Sequence, residues 1–283
     1  MILVTGATGH VGAELVTQLA AAGHKVRAMT RRPETLTPRP EVEVVRGDAA
    51  DPATLAAAFA GATRAFLMSA EAAGTAERPS QVPHLVEAAV GAGVEYAVLL
   101  SVYSGGSGGD VIADWCRQIE DSVTGSGMAW TLLRPGRFMS NALQWAPQIR
   151  RGDEVQVPFA SRPAASIDPA DIAAIAAAAL TSTDHRDAAY QLSGPQVLTP
   201  VDEVAVLAAL LDRPLHVVDP PLEQVRAGMA RGGFPPAVLD AIINRTRDTD
   251  EGTEVLPTVA ELLGRSPGTF SRWATRHLDH FTT

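Results

Sequence analysis

The chain has 283 residues, of which 46% are apolar and 19% charged, with a formal net charge of −9; it is long enough to bury a large core without disulfides or structural metals. The acidic balance argues against a broad nucleic-acid footprint, which needs a positive surface, and the single cysteine, Cys116, excludes an intrachain disulfide and a Cys-ligated zinc site. The longest strongly apolar stretch, residues 172–180, is mostly alanine and too short for a bilayer, and no basic region precedes residues 1–6 as in a signal peptide, so a cytoplasmic protein without a membrane partner is expected.

Residues 2–5 form a short apolar run ending at Gly6. Val11, Leu15, Val16 and Leu19 follow at helical spacing, and Gly23 stands where that helix ends. Residues 26–30 and 42–45 read as the second and third strands. Asp51-Pro52 sets an N-cap before proline, for a helix that buries Leu55 and Phe59 and stops at Gly61. Residues 65–69 are a fourth strand, 82–90 a helix, and 96–101 a fifth strand, apolar almost throughout as in strands covered on both faces. A helix over about 111–123 and a strand over 130–133 continue the alternation, which implies right-handed βαβ units and a doubly wound parallel sheet. After Arg134-Pro135-Gly136 the rhythm breaks. Asp168-Pro169 caps a helix over 170–180, and residues 189–192 read as a strand returning to the sheet. Beyond Gly194 the chain is mostly helical, with caps at Thr199-Pro200 and Ser266-Pro267 and a last helix carrying Phe270, Trp273 and Leu278. The run Ser104-Gly105-Gly106-Ser107-Gly108-Gly109 after the fifth strand is either an inert surface loop or a mobile lid.

The sharpest motif is Thr5-Gly6-Ala7-Thr8-Gly9-His10-Val11-Gly12, between the first strand and the first helix. In the dinucleotide fingerprint the first glycine permits the tight turn, the second lets the backbone approach the pyrophosphate, and the third lets helix and strand pack closely. Free N–H groups at the helix start then face the phosphates, with Thr8, His10 and Val11 beside them. His10 either touches a phosphate or sits solvated at the helix start. The second strand ends Ala28-Met29-Thr30-Arg31-Arg32-Pro33, without the carboxylate that an NAD site offers to the ribose 2′-OH. Arg31 and Arg32 suit a 2′-phosphate instead, so NADP(H) is the expected cofactor.

With these segments the chain resembles the NmrA-like group of the atypical and extended short-chain dehydrogenase/reductases. The resemblance rests on the glycine spacing, on residues 26–31, on Arg46-Gly47-Asp48 with Asp51, on Arg134-Pro135-Gly136-Arg137-Phe138-Met139-Ser140-Asn141, on Ile167-Asp168 with Asp171-Ile172-Ala173, and on Leu263-Gly264-Arg265 before Phe270. It covers nearly the whole chain. It implies a Rossmann domain over 1–135, with 168–194 returning to it, and a smaller, mostly helical substrate lobe from 136–167 and 195–283. It further implies that Asp48 and Ala49 border the adenine and that Met68, Ser69 and Ala70 border the ribose nearer the nicotinamide. Ser101 and Val102 would stand at the end of the fifth strand, and Pro135, Gly136 and Phe138 near the nicotinamide and substrate, with Asn141 on the same stretch.

The wider superfamily pairs a tyrosine with a lysine four positions later, the lysine lowering the phenol pKa for proton transfer. Here Tyr103 is followed at that distance by Ser107, and Lys25 is the only lysine. Arg117 resembles the counterpart of the family's lysine on the next helix, but an arginine stays charged and is a poor proton donor. Tyr103 is left as an unassisted acid or as a group that orients a substrate carbonyl. No metal site is expected: the seven histidines have no ligand spacing with companions, and His277 and His280 stand alone near the C-terminus. Asp168 and Asp171 suit helix capping, and Ser101 lacks triad partners. The expected activity is NADPH-dependent reduction of a small quinone, carbonyl, azo or imine compound held over the carboxyl ends of the strands between two lobes. The alternative is a non-catalytic NADP(H) sensor. An oligomer is possible.

Overall fold

The computed structural model describes residues 1–36, 39–68, 80–103 and 108–282. In chain order the first elements are β1 (Ile2–Val4), α1 (His10–Ala21), β2 (Val26–Thr30), β3 (Val42–Arg46), α2 (Leu55–Phe59), β4 (Arg64–Leu67), α3 (Val82–Gly91), β5 (Tyr96–Leu100), α4 (Val111–Thr124) and β6 (Ala129–Pro135). There follow α5 (Ala146–Ile149), β7 (Glu154–Gln156), α6 (Pro169–Thr181), β8 (Ala188–Leu192), α7 (Pro200–Leu211) and β9 (His216–Val218). Five helices close the chain: α8 (Leu222–Arg231), α9 (Pro236–Asp248), α10 (Thr258–Leu263), α11 (Phe270–Arg276) and α12 (Asp279–Thr282). The chain divides into two compact units, Met1–Pro135 with Pro169–Gln191, and Gly136–Asp168 with Leu192–Thr283.

The first unit is built on a seven-stranded sheet in the order β3-β2-β1-β4-β5-β6-β8, and every registered pairing among β1 to β6 is parallel. This is the doubly wound arrangement expected. Leu3, Val4, Phe66, Val98 and Leu99 are fully buried, because helices cover both faces of the sheet. One face packs Leu3, Phe59, Leu85 and Ile119 into a common core. The other is covered by α1 and α6, where the buried alanines Ala173, Ala176 and Ala179 let α6 lie close. The chain runs outward from β1 through β2 to β3, then returns to the far side of β1 to begin β4. The order therefore reverses between β1 and β4, and in open α/β sheets the carboxyl side of that point is where ligands bind.

Four local expectations are corrected. Asp51 makes no side-chain cap: a turn closed by the Asp51 N–H on the Asp48 carbonyl (2.9 Å) intervenes, and a 3₁₀ turn over Pro52–Thr54 precedes α2. The fourth strand ends at Leu67, with Met68 already outside it. In the second unit α11 is capped by Thr269, whose hydroxyl accepts from the Arg272 N–H (3.3 Å), and not by Ser266; Pro267 lies wholly outside the helix. The single last helix is two, α11 and α12, broken near His277. The second unit has its own core of Trp145, Ile149, Leu207, Phe270, Trp273 and Phe281, and adds a short parallel pair, β7 with β9. Its α7 opens with a reciprocal capping box between Thr199 and Asp202, and the Thr199 hydrogen bonds hold the Asp202 carboxyl below its usual range. Among the described residues no helix is long and apolar enough to cross a membrane.

Candidate functional site

The glycine turn has the geometry its spacing implies. Gly6 adopts φ +59°, and a side chain there would strike the Met68 thioether. Gly9 is the N-cap of α1 and offers no side chain to its first-turn amides. A Cβ on Gly12 would stand 2.1 Å from the Gly6 carbonyl oxygen, so the close approach of helix and turn exists only with glycine. The result is a backbone cradle aimed outward from the helix start, and it fits a pyrophosphate. Val11 is buried, so it can offer a ligand only its N–H, whereas His10 and Thr8 are exposed.

Beside the cradle, the buried Thr5 joins the two strands at the switch point. Its hydroxyl accepts from the Met68 N–H (2.8 Å) and lies 3.0 Å from the Phe66 and Met68 carbonyls. Thr5→Val keeps the shape but leaves that N–H unsatisfied, so a loss of about 1–3 kcal/mol in denaturant unfolding is expected. An unchanged midpoint would contradict this role.

A groove of about 210 Å³ runs across the carboxyl edge from this turn. It gathers Gly6, Thr8, Gly9, Arg31, Arg32, Asp48, Ala49 and Met68, all named from the sequence. Met29, Thr30, Gly47 and Gln81 complete its lining. Of these, Gly47 had a signal: it sits inside Arg46-Gly47-Asp48, and a Cβ there would come within 2.5 Å of the Met29 sulfur. At the end of β2 the side chain is Thr30, which accepts from the Arg32 N–H (3.2 Å); among the described residues no carboxylate of β2 occupies the place where one would meet a 2′-OH. Arg31 and Arg32 are exposed and carry no ion-pair partner among the described residues. The Ala49 carbonyl is held by His84 Nδ1 at 3.0 Å. Ser69, Ala70 and residues 104–107 of the glycine-rich run lie outside the described residues.

Further along the edge, Ser101 follows β5 and is buried. Its hydroxyl donates to Glu120 Oε1 (2.6 Å), and Arg134 donates to both oxygens of that carboxylate (2.9 and 2.6 Å). The sequence reading missed Glu120, although a charged residue inside the buried stripe Cys116, Ile119, Val123 of α4 was a signal. Val102 packs against the core. Tyr103 is half-buried, and its carbonyl accepts from the Gln191 amide (3.2 Å). Arg117, exposed on α4, pairs with Asp114 and donates to the Gly108 carbonyl (3.2 Å). Pro135 ends β6, and its ring is buried. Lys25 is exposed at the amino end of β2, on the opposite edge of the sheet from the groove.

In the second unit, the Gly136 N–H donates to the Leu192 carbonyl (3.0 Å). Phe138 is half-buried ahead of a 3₁₀ turn over Met139–Trp145, and Asn141 is exposed on that turn. The buried Asp168 accepts from Arg276 (2.5 Å). His277 stacks on Trp273, and His280 on His277. Among the described residues no group of three His, Cys, Asp or Glu side chains is placed to hold a metal ion.

The NAD(P)H-binding family matches residues 6–183. A (4-alkanoyl-5-oxo-2,5-dihydrofuran-3-yl)methyl phosphate reductase of Streptomyces griseus is 39% identical over 286 residues, 99% of each chain. An NAD(P)H azoreductase of Xenophilus azovorans is 35% identical over 290 residues, again 99% of each. Among solved structures, the triphenylmethane reductase of a Citrobacter species, complexed with NADP(H), superposes with a TM-score of 0.78 at 22% identity, covering 97% of this chain and 99% of that one. At that identity the likeness speaks for the fold alone.

Proposed function

The chain belongs to the NAD(P)H-binding family, and from that membership we propose that it is an NADPH-preferring reductase of small, electron-poor conjugated molecules of the quinone, azo, imine or unsaturated carbonyl type. One observation carries the substrate class: an intact glycine cradle stands in a chain whose single lysine is on the wrong edge of the sheet to assist Tyr103.

When bound, NADPH would supply a hydride from the nicotinamide C4. An isolated carbonyl that accepts hydride becomes an alkoxide, which needs a proton at once and so rewards a tyrosine tuned by lysine. A conjugated acceptor spreads the incoming charge over distant oxygen or nitrogen atoms and can be protonated by water. For such substrates the protein's work is mainly to hold acceptor and nicotinamide together. The glycine cradle would fix the pyrophosphate, Arg31 and Arg32 the 2′-phosphate, and Asp48 with Ala49 the adenine. The names of the full-length relatives support this chemistry. The furanone in the first has a ring double bond conjugated with two carbonyl groups, and the azo group of the second is likewise a conjugated acceptor. The same relatives favour an enzyme over a non-catalytic sensor.

The test is NADPH oxidation across a panel of quinones, azo dyes, unsaturated lactones and isolated aliphatic ketones. The conjugated members should be reduced at least about a hundredfold faster than the ketones, the low end of what a missing general acid costs; preference for isolated ketones would contradict the proposal. Within the same assay Tyr103→Phe should lower kcat by less than about tenfold, because the phenol has no lysine to assist it. A drop of about a hundredfold would instead make Tyr103 the proton donor.

A further inference from the structure

The carboxyl edge of the sheet is ordered. Arg31, Arg32 and Asp48 lie at the ends of β2 and β3, the cradle follows β1, and Met68 follows β4. Moving along this edge leads from the 2′-phosphate and adenine end toward the nicotinamide end. Ser101, after β5, stands three strand spacings from β2, about 14 Å at the usual separation. Its single hydroxyl proton is committed to Glu120 Oε1 at 2.6 Å. The carboxylate has no freedom to swing away, since Arg134 grips both of its oxygens, and these bonds raise the Arg134 pKa further above its ordinary value. Glu120 and Ser101 are only 6% and 4% exposed. An ion pair with a buried carboxylate is a costly way to attach a helix to a sheet, and apolar side chains of similar size often do so at least as well. What the charged group adds is direction: beside an acceptor-only carboxylate, a serine hydroxyl can turn only its lone pairs elsewhere.

We propose that Ser101 is a hydrogen-bond acceptor for an N–H or O–H donor on the nicotinamide half of the cofactor, and that Glu120, braced by Arg134, is the positioning residue that keeps it one. This rests on the NADPH reading above. It also means that Ser101 does not donate to a substrate carbonyl, which agrees with acceptors that need no such activation.

The test is calorimetric titration of wild type, Ser101→Ala and Glu120→Gln with NADPH and with 2′,5′-ADP, which lacks the nicotinamide half, alongside thermal unfolding. Ser101→Ala should weaken NADPH about threefold to tenfold, the worth of one hydrogen bond, and leave 2′,5′-ADP within about twofold. Glu120→Gln should show the same selectivity. Its amide oxygen turns to Arg134, its NH2 then donates to Ser101, and the hydroxyl direction reverses. If the reduced 3-acetylpyridine analogue is insensitive to Ser101→Ala, the donor is the carboxamide; if it loses as much as NADPH, the donor is a ribose hydroxyl, and either result supports the proposal. Unchanged NADPH affinity in Ser101→Ala would overturn it, as would equal weakening of both ligands with a lowered Tm, the mark of a purely structural ion pair. If Glu120→Gln does not fold, Ser101→Ala alone decides. A wild type that binds NADPH but reduces no acceptor would remove the reductase reading and leave this comparison valid.

Discussion

Gly12→Ala is expected to weaken NADPH binding by about a hundredfold or more, which is roughly 2.7 kcal/mol. The added Cβ would sit 2.1 Å from the Gly6 oxygen, 2.8 Å from the Gly6 carbonyl carbon and 3.1 Å from the Ala7 Cα. All three are backbone atoms, so no side chain can rotate away, and either α1 or the turn must move. Overpacking of this kind costs about 1–3 kcal/mol in stability, sometimes more, and the displaced part is the surface that would cradle the pyrophosphate. Gly9→Ala is the informative companion. Its Cβ meets only the Gly6 oxygen, at 3.3 Å, which a shift of a few tenths of an ångström relieves. Gly9→Ala should therefore leave thermal unfolding nearly unchanged and still weaken NADPH, because the methyl group occupies the outward side of the cradle. Gly12→Ala that binds NADPH within about threefold of wild type, a difference under 1 kcal/mol, would show that the tight turn is not the phosphate site.

The second large effect is cofactor choice. Nothing at the end of β2 accepts a 2′-OH: Thr30 is buried and its hydroxyl is engaged by the Arg32 N–H. Arg31 and Arg32 line the same groove as the glycine turn. A hydrogen bond to a charged group contributes about 1.5–3 kcal/mol when shielded, but both side chains are exposed and solvent screens them, so the low end applies. NADPH should bind at least about tenfold tighter than NADH, with the gap shrinking as salt rises. Arg31→Ala combined with Arg32→Ala should remove most of that preference and leave NADH nearly unaffected. Equal affinities of wild type for the two cofactors would sink the assignment.

The first unit was legible because its signals agree with one another. Strands such as Tyr96–Leu100 are apolar on both faces only when helices cover both, and Gly6, Gly9 and Gly12 fall between a strand and a helix, where a cradle is useful. What escaped depends on long-range partners. Thr5 looked like a strand residue, yet its hydroxyl joins β1 to Met68, 63 residues away. Glu120 stands inside the buried stripe of α4, but its partners Ser101 and Arg134 reach it only through β5 and β6. The pair β7 and β9 spans three residues per strand with mostly exposed side chains, too little for a period-two pattern. Both Thr199-Pro200 and Ser266-Pro267 suggested a cap before proline; the first is a cap, completed by Asp202 in a reciprocal box, whereas α11 begins only after Thr269.

The most direct test of the account is transfer of deuterium from NADPH labelled at the nicotinamide C4. With an unsaturated lactone as acceptor, the label should appear at the ring carbon β to the carbonyl, with the second hydrogen drawn from solvent. Label on a carbonyl carbon as the main product would contradict the conjugated-acceptor mechanism, and NADPH binding without transfer to any acceptor in the panel would contradict a reductase altogether.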